Sequence, residues 1–450
     1  MPGRTTTSAE FFGAYEFKID HDFQLDGQSA TWAAGGPQSW GSEDAKLQFQ
    51  AEVKSVALTR DGSKLAVCLP KEFRIYDTAS LSLIRTFRAP YQPAVHFSPD
   101  GAVVVIQMSP LGARGDKDTV TLLSLGDDVP EDILPLHDIE DAARAAASAA
   151  AALGSQHPDL SFDDIGYSNI VEQFTNVLVN AAIAQQERHG RLYSGHVASF
   201  GSYPFSNDGS LLFYIKPGRK TVVAVDVHET LRGHYTERYA MVGHEDAVVW
   251  VSQSPDSRFI ATSSWDKTVR LWDPIDGSLL KVLTGATIQS WAACFSPDGR
   301  LIAAGSGDKH VRIWETCTAE LVHSLGGFAG WVRTMRFSPE GTQLVVGGRG
   351  GTVRVFDVRT GNCLQRWQLA VPEHGQAFME VQNVRWEGSR IFIRKGHTVV
   401  YDVERNYKWE IVPGESNYGQ NGVEHLMVTG DGGRVYSVDG DQAVRIWNLT

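Results

Sequence analysis

The chain has 450 residues, of which 42% are hydrophobic and 21% charged, with 44 glycines and 12 tryptophans; these are globular proportions that exclude wholesale disorder and lean towards short strands and tight turns. A net charge of −12 disfavours a general binder of nucleic acid or anionic lipid. No apolar run nears the ~20 residues of a membrane span, the opening MPGRTTTSAEFF lacks the apolar core of a secretory signal, and Cys68, Cys294, Cys317 and Cys363 show neither a disulfide framework nor a CxxC pair, so a cytoplasmic or nuclear protein is expected.

In chain order, residues 1–45 do not repeat and read as an N-terminal arm holding Trp32 and Trp40. From Lys46 onward the sequence echoes itself. Turns stand at TRDG (59–62), FSPDG (97–101), FSNDG (205–209), QSPDS (253–257), FSPDG (295–299), FSPEG (337–341), WEGS (386–389) and TGDGG (429–433), and those at 253, 295 and 337 are 42 residues apart. The segments TSSWDKTVRLWD (262–273), GSGDKHVRIWE (305–315), GGRGGTVRVFD (347–357) and DGDQAVRIWN (439–448) end alike, with fainter copies at 69–77, 218–226 and 395–402. Within each unit apolar residues alternate or run in short blocks broken by Gly and Asp, the pattern of strands. Each unit therefore reads strand a, an SPDG-type turn, strand b, a tight turn, strand c, a TGN-type turn and strand d. Such a sheet buries both faces only by stacking on its neighbours.

Between the second and third units, residues 137–194 interrupt the repeat. Asp138 suits the N-cap of an Ala-rich helix ending at Gly154, and a second helix over about 168–188 carries the stripe Ile170, Phe174, Val177 and Ala181. That stripe fits docking on the protein's own rim, or on a partner. ILPL (133–136) fits strand d of the second unit, which would make the insertion a d–a loop. The last unit stops after strand c, and Lys46–Gln50 (KLQFQ) stands where the missing strand belongs.

These motifs, strongest over 241–369 where GH, SPD and WDKTVRLWD stand together, resemble the WD-repeat β-propeller family. The resemblance spans 46–450 apart from the insertion and implies an all-β fold. Eight turns imply eight four-stranded blades of about 43 residues each, against about 49 for seven, the alternative. The resemblance also implies ring closure by the N-terminal strand and a helical insertion opening beside blades 2 and 3 on the narrow face.

His244, Ser264 and Asp266 form a hydrolase-like trio by composition, but their order matches the family's buried network, in which His bonds Asp, a Ser or Thr hydroxyl bonds His, and Trp272 closes the far end. Only the fourth blade holds the full set. The fifth keeps Asp308 and Trp314, the eighth keeps Asp441 and Trp447, and the third has Gly195-His196 but Arg219 in the Asp slot; those blades should be less tightly fastened. GGRGG (347–351) lacks the following helix and Lys-Ser/Thr of a phosphate loop. The Asp431, Asp439 and Asp441 group lacks calcium-loop spacing, so no catalytic residue, metal or cofactor is expected.

Family propellers present partners with d–a loops and b–c turns. Carried over by position, those slots hold Trp265, Gln289, Trp291, Trp331, Arg333 and Arg349 in blades four to six. Elsewhere they hold Glu52, Lys54, Tyr91, Ser199, Glu380, Gln382 and Glu424. Trp and Arg dominate binding hot spots, so a non-catalytic scaffold for a protein or peptide partner, within a larger complex, is the expected function. No membrane partner and no small-molecule substrate is expected. Two alternatives stand beside it: a ribonucleoprotein-associated protein, supported by Arg333, Arg336 and Arg349, and an enzyme using the central channel, for which the inner strands show no convergent acids or bases.

Overall fold

The computed structural model describes residues 24–25, 28–33, 38–39, 43–126 apart from 71, 89–91 and 110–118, 192–368 apart from 198–200 and 233, and 381–449 apart from 382, 396, 413–425 and 439–441. The expected helices of the insertion, Trp40, Asp439 and Asp441 lie outside those residues.

The short apolar blocks form antiparallel sheets because each is stopped by a turn that its own side chains close. In the a–b turns Ser98, Ser206, Ser254 and Ser296 donate to Asp100, Asp208, Asp256 and Asp298 at 2.5–2.6 Å. Against opposing burial, these serine bonds hold the carboxyls of Asp100, Asp208 and Asp298 below their ordinary pKa. The turns need a left-handed residue, supplied by Gly101 and Gly299 at φ +66° and +73° and by Ser257 at +60° where the glycine is missing.

Eight blades result, forming an eight-bladed β-propeller. The fourth, fifth and sixth are regular: strand a is Val248–Gln253, Ser290–Phe295 and Val332–Phe337, and strand d is Leu279–Leu283, Leu321–Leu325 and Cys363–Gln368. Eight apolar clusters fill the eight gaps between consecutive blades. One joins Ala66, Cys68 and Phe73 of blade one to Val104 and Ile106 of blade two. Another joins Leu65 and Val67 of blade one to Tyr436 and Val444 of blade eight. Each sheet is thus buried on both faces, as the repeat required.

Closure follows the expectation closely. Ala45–Gln48 pairs antiparallel with the final strand, matching Leu47 to Val444 and Gln48 to Ala443, and Phe49 fills the seam between blades eight and one. The arm does more than precede this strand. Thr31–Trp32 and Gln38–Ser39 pair in parallel with Tyr407–Val412, the outer strand of blade seven, while Ala30 and Ala33 are buried in the clusters on either side of that blade.

Two expectations are corrected. Strand d of blade two is Leu192–Ser194, paired with Thr119–Thr121 of strand c, and not ILPL. The inserted residues therefore join strand c to strand d within blade two and leave from the end of the ring opposite the d–a loops. The physical reason is twofold. Strand d must lead into Gly195-His196, as strand d Glu237–Met241 leads into Gly243-His244, and ILPL carries a proline that cannot donate to a ladder. In blade three the inner strand is reduced, among the described residues, to two bridges, His196–Ile215 and Phe205–Leu212. Its c–d connection holds a short helix, Val227–Leu231, capped by Asp226.

Candidate partner-binding site

The fourth blade shows how a turn is fixed to the ring. His244 Nδ1 donates to Asp266 Oδ2 at 2.6 Å, its Nε2 accepts the Thr262 hydroxyl at 2.7 Å, and Trp272 Nε1 donates to the same Thr262 oxygen at 2.8 Å. Burial is the largest influence on the imidazole and holds its pKa down, keeping it neutral. Burial opposes ionisation of Asp266 too, but the bonds from His244 and Thr268 hold its carboxyl far below the carboxylate range. The hydroxyl in the relay is that of Thr262. Ser264 instead donates to the Asp246 carbonyl and accepts from the Asp266 amide. Thr262 is legible by position: it stands ten residues before Trp272, and in blade eight Ser437, ten before Trp447, accepts the indole N–H at 3.1 Å.

Blade five lacks the His but not the fastening. Asp308 accepts from Thr287 N at 2.8 Å and from Arg312 Nη2 at 2.8 Å; burial opposes, yet these contacts bring its pKa down to about 2. Trp314 is buried there. In blade three Arg219 offers no acceptor: the buried His196 Nδ1 has no hydrogen-bond partner among the described residues, and burial, with the Arg219 charge, pushes its pKa down to about 4.

These fastened turns set the slot residues in register. Trp265 N, Gly307 N and Arg349 N donate to the carbonyls of Ala247, Gln289 and Trp331 at 2.9–3.0 Å, the donors standing 42 residues apart in three consecutive blades. Just beyond, strand a carries a bulge at Val249, at Trp291-Ala292 and at Arg333, which re-aims those side chains. The outcome is a continuous stack. Trp265 meets Trp291 edge-on at 5.3 Å, Trp291 lies nearly parallel to Trp331 at 5.6 Å, and Arg333 sits over both of these last two indoles at 4.4 and 4.7 Å. Arg349 covers Trp331 at 5.9 Å.

Trp265, Trp291, Trp331, Arg333 and Arg349 thus form one aromatic and cationic surface, and Gln289 contributes its backbone beside it. Their exposure is uneven: Trp291 is 7% exposed and Trp331 37%, so Trp291 is the support and Trp331 the presented ring. The Trp265 indole N–H is buried without a hydrogen-bond partner among the described residues. Around the ring Glu52 is already paired with Lys54 at 2.8 Å; Tyr91, Ser199, Glu380, Gln382 and Glu424 lie outside the described residues. Arg336 does not join Arg333 and Arg349. Its Nη2 lies 3.8 Å from the place a Cβ on Gly201 of blade three would take, and its charge bears on Arg385 and Glu387 of blade seven, a grouping across blades that the repeat pattern does not reveal.

Eight radial β-sheets, the inner strand of blade three reduced to two bridges, with the b–c turns of blades four and five fastened by Asp266 and Asp308, define a repeat β-propeller. The chain carries WD repeats: the family model "WD domain, G-beta repeat" matches residues 235–273, 277–315 and 319–357, which are the units that build the tryptophan stack. Among curated proteins, the chain is similar to eukaryotic translation initiation factor 3 subunit I of Aspergillus niger, 33% identical over 91 residues, and of Aspergillus oryzae, 34% identical over 91 residues, in each case 20% of this chain and 25% of the relative. The same subunit of Phaeosphaeria nodorum is 34% identical over 90 residues, 20% of this chain and 24% of the relative. The chain thus spans about a quarter of the length of the curated relatives it matches.

Proposed function

We propose that the protein is a non-catalytic scaffold that holds an extended protein segment against Trp331 and Arg349 at the narrow face of blades four to six. The carrying observation is the stack from Trp265 to Arg349: three indoles and two guanidinium groups gathered on three adjacent blades with one large ring left presented. Large rigid rings with directed cations are what interface hot spots are made of, and Arg349 would fix a carboxylate or phosphate by paired hydrogen bonds while Trp331 covers an apolar anchor. Arg333 is committed to the two indoles it covers and acts as support. The relatives are named as subunits of an initiation factor; by analogy this chain works in a multi-subunit assembly in the cytoplasm or nucleus.

Affinity purification with quantitative mass spectrometry tests this. Trp331→Ala and Arg349→Glu should melt within about 1 kcal/mol of wild type, as surface changes do, yet lose the specific partner, while Arg258→Glu on the opposite end keeps it. Full recovery by both narrow-face variants would overturn the assignment. A second reading, association with a ribonucleoprotein, draws support from the relatives' naming as translation initiation factor subunits; it predicts recovery that ribonuclease abolishes and that falls steeply with salt.

A further inference from the structure

Strand a is the innermost strand of each blade, so eight of them surround the central channel. The residue two before the Ser or Thr of the a–b turn occupies the same level each time: Ala57, His96, Pro204, Ser252, Cys294, Arg336 and Met427, with Arg385 as the blade-seven equivalent because Trp386 packs as Phe337 does. This level holds two adjacent arginines and no acid. His96 is held neutral by burial, with a pKa of about 4, and burial pushes the Cys294 thiol up to about 12, so neither supplies an anion.

The counter-charge present is inadequate. Arg385 Nη1 stands 4.0 Å from Glu387 Oε1, beyond a hydrogen bond, and among the described residues its Nη2 meets only the Met427 sulfur at 3.7 Å. Its Nε is buried without a hydrogen-bond partner among the described residues. Burial, and next the Arg336 charge, push the Arg385 pKa down to about 10. Arg336 reaches across towards blade three, where its Nη2 lies 3.8 Å from the place a Cβ on Gly201 would take; among the described residues it makes no hydrogen bond and no ion pair within 4.0 Å, and feels the Glu387 carboxylate only at longer range. The Arg385 side chain is nevertheless 21% exposed and that of Glu387 28%, as for groups that line a water-filled channel.

Two guanidinium groups with one distant carboxylate make a cationic level of the channel inside a chain of net charge −12. Unpaired buried cations are costly, and planar forks match a tetrahedral oxyanion through paired hydrogen bonds. We propose that the channel level of Arg336 and Arg385 binds a small phosphate-type dianion. It bridges the two forks, ties blade six to blade seven, and is opposed by Glu387. This site is independent of the tryptophan stack, lying towards the opposite end of strand a.

The test uses the full chain, inorganic phosphate and pyrophosphate, with chloride at matched ionic strength. Wild type should show a saturable rise in melting temperature and phosphorus-31 line broadening that chloride does not produce. Arg336→Gln should weaken binding about tenfold, the loss of one charge-assisted contact. Glu387→Gln should strengthen it several-fold by removing the opposing carboxylate; this arm keeps the proposal testable if Arg336→Gln does not fold. Equal responses of wild type and Arg336→Gln, or weaker binding by Glu387→Gln, would overturn it. Rises common to all variants report only the general salting effect of phosphate and also overturn it.

Discussion

At the scale of single residues, Thr262 is the centre of the fourth blade's network. Its one oxygen takes the Trp272 N–H and gives its proton to His244, so Thr262→Val leaves two buried groups unpaired. Asp266→Ala leaves His244, the Thr268 hydroxyl and two backbone amides without their acceptor. Each loss should cost on the order of 1–3 kcal/mol. Ser264→Ala removes two bonds to backbone, those to the Asp246 carbonyl and the Asp266 amide, outside the relay, and should cost less. Asp308→Ala should also cost less than Asp266→Ala, because Arg312 is nearer solvent than the 1%-exposed His244 side chain. Thermal melts of the four variants check the order; Ser264→Ala matching Thr262→Val would refute the relay. The trio His244, Ser264 and Asp266 is legible as structural from its spacing, yet the central place belongs to a hydroxyl two residues before the serine. Thr262 and Ser264 both point off the same strand face, and only Thr262 lies opposite the indole edge.

At the scale of elements, strands are legible wherever a turn chemistry repeats and deceptive where it does not. SPDG turns and Gly-His pairs mark strand ends by local bonding, so the blades and the closing strand can be read directly. ILPL has the composition of a strand, and only the pairing of Leu192–Ser194 with Thr119–Thr121 decides against it. The arm's parallel strands are unreadable for the same reason: Thr31–Trp32 and Gln38–Ser39 are two residues long, and their partner lies in blade seven, near the other end of the chain. The tryptophan stack is approachable because three blades share a 42-residue period, whereas the channel pair is hidden because Arg385 stands 49 residues after Arg336, outside that period, and blade seven's turn lacks the Ser or Thr that marks this level in the other blades. The corrected insertion has a testable consequence. As a connection between strands c and d of blade two, it can be shortened without removing a strand, and closing a shorter loop costs less entropy. Deleting 138–190 with a short linker should leave a soluble propeller with an unchanged tryptophan fluorescence spectrum from the stack; loss of all soluble protein would place those residues in the core.

At the scale of the whole molecule, the ring has no independent end, because each blade depends on both neighbours and the last depends on the first. Removing residues 1–42 spares Ala45–Gln48 and strips only the arm. That exposes the edge of Tyr407–Val412 and withdraws Ala30 and Ala33 from two clusters, together with bonds such as Thr31 N to Asn406 O at 3.0 Å and Ala33 N to Lys408 O at 3.1 Å. The loss should be about 1–3 kcal/mol, with one cooperative melt and a monomeric elution. Removing residues 1–50 also takes the closing strand. Ala443–Asn448 then becomes a bare edge, and the seam between blades eight and one loses Leu47 and Phe49 beside Val444 and Tyr436. An unpaired apolar edge recruits other chains, and a ring of nearest-neighbour interfaces broken at one place frays from there. The longer deletion should therefore melt in a broad transition, or elute as an oligomer, while the shorter one does neither. If both truncations melt alike, the seam is held by the blades' own faces and the closing strand is dispensable.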